Sequence, residues 1–266
     1  MRVAIDAGHG SNTSGKRTPE GYREHWANVK VANYFAEAME RNGIDYIKVG
    51  WNDSNATDDA DTALSVRQAI INAHDCDYSV SFHFNASGDG KTYNSAQGIE
   101  TLVSIFDDRI GDSMALANAV QKYLVQGTEQ KNRGVKRQDL AMCNCKKLGT
   151  KASILIECGF MTNLKESILM QSDAFCKECA EETAKGFLEY IGKMYVPTDI
   201  KNPDSTFLIK LIVDMNIRES YSVLSKKVGE IKAGGVYTIV ETKGSWGRLK
   251  SGAGWINISS NYVRRL

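Results

Sequence analysis

Two histidines and two glutamates have the types and positions that hydrolytic chemistry needs. His83 closes a run of strict period two in which Tyr78, Val80, Phe82 and Phe84 face one way and Ser79, Ser81, His83 and Asn85 the other. An apolar face opposite a small polar face predicts a strand that lines something wet, with a histidine near its end placed to hold a metal. His9 lies between Gly8 and Gly10, just past the apolar run Val3-Ala4-Ile5, where neighbours without side chains let an imidazole approach an ion. One strand histidine is usually just hydrogen-bonded, but two at the ends of two strands point to a shared ion. A catalytic zinc takes three protein ligands, nitrogen or carboxylate, and leaves a position for water, so a carboxylate is the missing third. Glu24 offers one, on a helical face shared with Ala27, Val31, Phe35 and Ala38, although periodicity leaves its neighbour His25 as a rival ligand. Glu157 closes the apolar run Ile154-Leu155-Ile156; beside a metal-activated water it could act as general base and then general acid, or it is a salt-bridged structural residue. Asp6 and Asn85 could orient the imidazoles through hydrogen bonds. His74 reads as a surface loop residue. Lys131, Arg133, Lys136 and Arg137 form a basic patch, either a solvated loop or a contact for an anionic substrate.

These residues need elements that bring distant strand ends together. Strands are expected at the N-terminus and over residues 44–49, 78–85, 98–103 and 153–156, and helices over about 23–42, 62–73, 111–125 and 173–194. Residues 8–21 and 51–61 read as loops. Strands alternating with helices predict an α/β domain with an open, largely parallel sheet flanked by helices, which gathers its ligands at one sheet edge. The expected domain covers residues 1–194, and residues 195–206, with two of the chain's three prolines, read as a linker. Residues 207–266 lose all helical periodicity; short strands over 207–213, 236–242, 246–250 and 254–258, broken by glycine turns, predict a small all-β, SH3-like barrel.

The bulk properties are those of an ordinary globular protein of 266 residues, 42% apolar and 24% charged. A formal net charge of +1 gives no general attraction to nucleic acid, and no apolar run is long enough to span a bilayer. Met1-Arg2-Val3-Ala4-Ile5-Asp6 meets an acid too early for a secretory signal, so synthesis in the cytoplasm without a signal peptide is expected. Six cysteines in a chain this long do not make a disulfide scaffold. Cys143 and Cys145 could pool with Cys176 and Cys179 around a structural zinc, but the second pair falls in a helical pattern, which favours reduced thiols.

At Asp6-Ala7-Gly8-His9-Gly10, Glu24, Arg67, Ser81-Phe82-His83-Phe84-Asn85-Ala86, Gly98-Ile99-Glu100-Thr101 and Ile156-Glu157-Cys158-Gly159-Phe160, the chain resembles the zinc-dependent N-acetylmuramoyl-L-alanine amidases of the Amidase_3 family. The resemblance covers residues 1 to about 194 in the family's order and spacing. It implies one Zn2+ held by His9, Glu24 and His83, choosing Glu24 over His25, with Glu157 as catalytic acid/base and Arg67 and Glu100 as supporting or substrate-contacting residues. It implies cleavage of the bond between N-acetylmuramic acid and L-alanine in peptidoglycan. Met215-Asn216-Ile217-Arg218-Glu219-Ser220, Trp246-Gly247-Arg248-Leu249 and Gly254-Trp255-Ile256 are similar to bacterial SH3 (SH3b) domains, which implies a peptidoglycan-binding module with Tyr221, Tyr237, Trp246 and Trp255 lining a groove. An amidase with such a module and no signal peptide looks like a phage endolysin acting on the wall after release. A bacterial autolysin or spore-wall amidase of the same chemistry, or a zinc carboxypeptidase, is the alternative.

Overall fold

The computed structural model describes residues 1–51, 56–128, 130–197, 206–223, 225–243, 246–259 and 262–266. The chain divides into two units, Met1–Val196 and Pro197–Leu266. Residues 198–205 of the expected linker and 52–55 of the expected second loop lie outside the described residues.

In the first unit the strands are β1 (Arg2–Ala7), β2 (Asp45–Val49), β3 (Tyr78–Asn85), β4 (Ile99–Ser104), β5 (Asn132–Gln138) and β6 (Ala152–Phe160). They form one sheet in the order β2-β1-β3-β6-β4-β5. All neighbours are parallel except β4 and β6, so the sheet is mixed, with β4 and β5 reversed. A parallel return needs a crossover element, and the segment between β3 and β4 contains no helix; the chain turns at the sheet edge and comes back antiparallel.

Helices α1 (Glu24–Arg41), α3 (Ile110–Thr128) and α6 (Asp173–Tyr190) cover one face, where Val31, Phe35, Leu116, Val120 and Phe187 join Ile5, Val80, Phe82 and Ile154 in the main core. Each such side chain stabilises the fold by about 1.5–3 kcal/mol through burial. The other face carries α2 (Leu64–Ala73), a 3-10 turn (Ala141–Cys143) and α4 (Cys145–Leu148), with Ile71, Met142 and Leu148 over Ala4 and Val49. A short α5 (Leu164–Leu169) follows β6. Neither α4 nor α5 was expected, since four and six residues are too few for a 3.6-residue period to register.

That second layer corrects the reading of β3. Ser79 and Ser81 are fully buried, so its polar face is wet only at the end, at His83 and Asn85. The cysteines are all buried and unpaired. Cys176 and Cys179 lie in the main core with Cys158, whereas Cys143 belongs with Leu102 and Leu155, so the two pairs do not pool around an ion.

The second unit is a seven-stranded sheet in the order β13-β7-β10-β11-β12-β8-β9. Its strands are β7 (Phe207–Leu211), β8 (Met215–Arg218), β9 (Lys227–Ile231), β10 (Val236–Lys243), β11 (Trp246–Leu249), β12 (Trp255–Asn257) and β13 (Val263–Arg265). All its pairings are antiparallel. Ile209, Leu211, Ile217, Ile239, Leu249, Ile256 and Val263 form its own core.

Candidate metal centre and its surroundings

His9 follows β1 and His83 ends β3, strands that are hydrogen-bonded neighbours, while Glu24 opens α1. The ligand atoms of these three residues all lie within 4.8 Å of one another. His83 Nδ1 is 3.1 Å from Glu24 Oε1, which also accepts from the Phe84 N–H at 3.1 Å. His9 Nε2 and Glu24 Oε2 are 3.4 Å apart but out of hydrogen-bond alignment, and among the described residues neither buried atom has a hydrogen-bond partner. Two imidazoles and a carboxylate whose ligand atoms gather at one place, with those of His9 and Glu24 unsatisfied, fit a divalent transition metal.

Local sequence explains the close approach. A Cβ on Gly8 would lie 2.1 Å from the His83 ring, and one on Gly10 would lie 2.3 Å from the Asp61 backbone nitrogen. His9 itself has φ 61°, a left-handed conformation that costs a non-glycine residue about 1–3 kcal/mol unless its surroundings hold it. They do. Arg67, 1% exposed, donates through Nη2 to the His9 carbonyl at 2.5 Å and through Nη1 to the Ala7 carbonyl at 2.7 Å. The Gly8 carbonyl accepts from Asn28 Nδ2 at 3.0 Å and lies 2.9 Å from His25 Nδ1, whose other nitrogen faces Asp59 Oδ2 at 3.2 Å. His25 is thus a brace for the turn, outside the cluster of three. Both Glu24 and His25 are buried, because α1 is covered on more than one face, and periodicity had no exposed side by which to choose between them.

Glu157 stands in register beside His83 on one side and Glu100 on the other, so the three side chains share a face of the sheet. Its Oε2 is shut off from solvent and has no hydrogen-bond partner among the described residues. Burial pushes the Glu157 carboxyl up to about 8, with Glu24 and Glu100 adding to the effect and His83 opposing it. Burial lowers His9 to about 4, aided by His83 and opposed by Glu24. Burial also pulls on His83, but the hydrogen bond to Glu24 and the nearby carboxylates outweigh it and raise its pKa above 6.5. For Glu24, burial is likewise outweighed, and His83 and His9 bring it down to about 2.

Asp6 and Asn85 do not orient imidazoles. Asp6 Oδ1 accepts from Arg67 Nη1 at 2.7 Å and its Oδ2 from Ser81 Oγ, which makes it the counter-ion of the buried arginine. Asn85 Nδ2 donates to Glu100 Oε1 at 2.9 Å. Glu100, 1% exposed, also pairs with Arg133 at 2.6 Å and with Lys136. The basic patch is therefore strand β5 over part of its length rather than a loop, and the signal for it was the buried-face acid on β4, which needed a cation. His74 is exposed, with Nδ1 on the Ile70 carbonyl at 2.8 Å.

In the second unit the four expected groove residues are distributed. Trp246 lines a pocket with Met215, Val223, Asn257 and Tyr262, whereas Tyr237 lines a separate one with Leu249 and Lys250. Trp255 is buried and meets the Tyr221 ring edge-on at 5.4 Å.

Residues 3–189 match the Amidase_3 family, described as N-acetylmuramoyl-L-alanine amidase. The chain is 26% identical over 287 aligned residues to the endolysin of Bacillus phage SPP1, covering 98% of this chain and 97% of that protein. It is 29% identical over 189 residues to the uncharacterised protein YqiI of Bacillus subtilis strain 168, covering 71% of this chain and 84% of that protein. Among solved structures, an N-acetylmuramoyl-L-alanine amidase from Clostridium difficile 630 superposes with a TM-score of 0.62 at 28% identity, over 72% of this chain and 96% of the other.

Proposed function

The chain belongs to the Amidase_3 family of N-acetylmuramoyl-L-alanine amidases, and on that premise we propose that it cleaves the amide joining the N-acetylmuramic lactyl group to L-alanine, with His9, Glu24 and His83 holding zinc. The observation that carries the reading is the cluster of three ligand atoms with Glu157, unpartnered, in register beside it. Zinc supplies Lewis acidity there: it makes water acidic near about pH 7 and stabilises negative charge developing on oxygen. Glu157 takes the proton of the attacking water at its carboxylate and returns it to the departing alanyl nitrogen. Burial suits it to both steps by raising its pKa to about 8, close to neutral pH, where a carboxyl can both take and return a proton.

The full-length similarity to the SPP1 endolysin favours a lytic enzyme whose second unit, an SH3b-like module, tethers it to the wall and raises its local concentration. A bacterial autolysin of the same chemistry is the alternative. Digestion of purified peptidoglycan followed by mass spectrometry tests the bond assignment. New N-terminal L-alanine with intact glycan strands is expected; released D-alanine or new sugar ends would sink it.

Zinc uptake has a further expected signature. His83 carries a proton in the metal-free site below its raised pKa, and zinc must displace it, whereas His9 near 4 and Glu24 near 2 have none to give at pH 5. Affinity measured by chelator competition at about pH 4.5, 5.0 and 5.5 is expected to fall about tenfold per unit of acidification. Two imidazoles of ordinary pKa would instead give a fall approaching a hundredfold.

A further inference from the structure

Strand β5 brings positive charge to the far end of the row that begins at the metal ligands. His83, Glu157 and Glu100 are consecutive partners across β3, β6 and β4, and β5 lies next to β4 at the sheet edge. From β5, Arg133 Nε reaches Glu100 Oε2 at 2.6 Å, and Lys136 Nζ contacts the same oxygen. One buried carboxylate thus faces two cations. The Arg133 and Lys136 side chains are 30% and 38% exposed, while that of Glu100 is 2% exposed. Of the other acids nearby, Glu157 is the register partner of Glu100, and Glu166 accepts from the Gly98 and Phe160 N–H groups at 2.8 and 2.7 Å.

The cations also have donors to spare. Among the described residues Arg133 uses Nε on Glu100 and one further N–H on the Gln97 carbonyl at 3.4 Å, out of the five a guanidinium offers. Its guanidinium lies 4.7 Å from the centre of the Phe160 ring, so the fork is held in place. Lys136 uses one of its three donors among the described residues. Held, partly exposed donors on two neighbouring cations suit a carboxylate.

Strand spacing sets which carboxylate. β5 lies two strands from β6, or about 10 Å, and an extended peptide rises about 3.3 Å per residue, so the anion belongs within the first three residues beyond the scissile bond. In a stem peptide the second residue continues the chain through its side chain, leaving a main-chain carboxyl either free or capped as an amide. We propose that Arg133 and Lys136 receive this free carboxylate and so make the enzyme prefer carboxylate stem peptides over carboxamide ones. The proposal rests on the amidase reading above.

The test uses the full chain loaded with zinc and two soluble muropeptides that differ only in that group. The parent is expected to cut the carboxylate form with kcat/KM about tenfold or more above the carboxamide, the difference lying in KM. Lys136→Met, which keeps the aliphatic stem and leaves Arg133 on Glu100, is expected to bring the ratio down toward one. Arg133→Lys is expected to keep part of it. A parent ratio of one or less overturns the subsite while leaving the amidase reading intact. So does a Lys136→Met variant that slows both substrates equally, since a strut for Glu100 cannot tell them apart. Failure to cut either muropeptide removes the amidase reading and the subsite with it.

Discussion

Glu157→Ala is expected to keep zinc and bind cell walls like the parent while losing lytic activity by a factor of about 10²–10⁴, the usual worth of a positioned general acid/base. The separation of effects follows from where the residue sits. Its Oε2 has no hydrogen-bond partner among the described residues, and it is not one of the three clustered ligands, so removing it takes no ligand from the cluster. His83→Ala, by contrast, is expected to lose the ion itself, as metal analysis after dialysis would reveal. Stability gives a second readout. In the metal-free protein the Glu157 pKa is raised from 4.5 to about 8, so the folded state binds a proton that the unfolded chain has released. Stability therefore falls as pH rises from about 4.5 to about 8, and Glu157→Gln is expected to remove that fall, melting at higher temperature than the parent at about pH 8 and with no such advantage below about pH 4.5. Undiminished lysis in Glu157→Ala would end its assignment as the proton carrier.

Arg67→Met is expected to destabilise the first unit by about 3–5 kcal/mol, the cost of stranding a buried charge when its partner is removed. Arg67 is the largest of the fully buried side chains, and its fork serves Asp6, the Ala7 and His9 carbonyls, and through Nε the Thr62 carbonyl at 2.8 Å. Methionine fills part of the volume but leaves the Asp6 carboxylate and those carbonyls without their donor. The strained His9 turn then loses the bond on its own carbonyl, and zinc affinity should drop along with the urea midpoint. Adding Asp6→Asn to Arg67→Met is expected to recover part of the stability, because the uncompensated charge goes. Arg67→Lys keeps charge without the fork and should restore less zinc affinity than stability. A midpoint within experimental error of the parent for Arg67→Met would show that the fork is not what holds the turn.

The membership of β1, β3 and β6 in one sheet, and the polar groups at their ends, were legible because strand ends carry their signal locally: an apolar run, a turn glycine, an ionisable residue. The all-β character of the second unit was legible for the same reason, since period two and glycine turns need no partner to be seen. β5 was not. Asn132-Arg133-Gly134-Val135-Lys136-Arg137-Gln138 has one apolar residue, as an edge strand with solvent beside it can afford to have, and it reads as a loop until β4 is known to lie against it.

What the sequence alone determined is which residues have chemistry to offer and the α/β and all-β character of the two halves, because composition and period act over a few residues. Tertiary structure decided the rest. It put His25 under the Gly8 turn as a brace, gave Asp6 to an arginine 61 residues away, turned β4 and β5 against the other strands, and set Tyr237 in a different pocket from Trp246. Those outcomes depend on which buried group finds a partner across the fold, and burial is a property of the assembled layers that no local pattern contains.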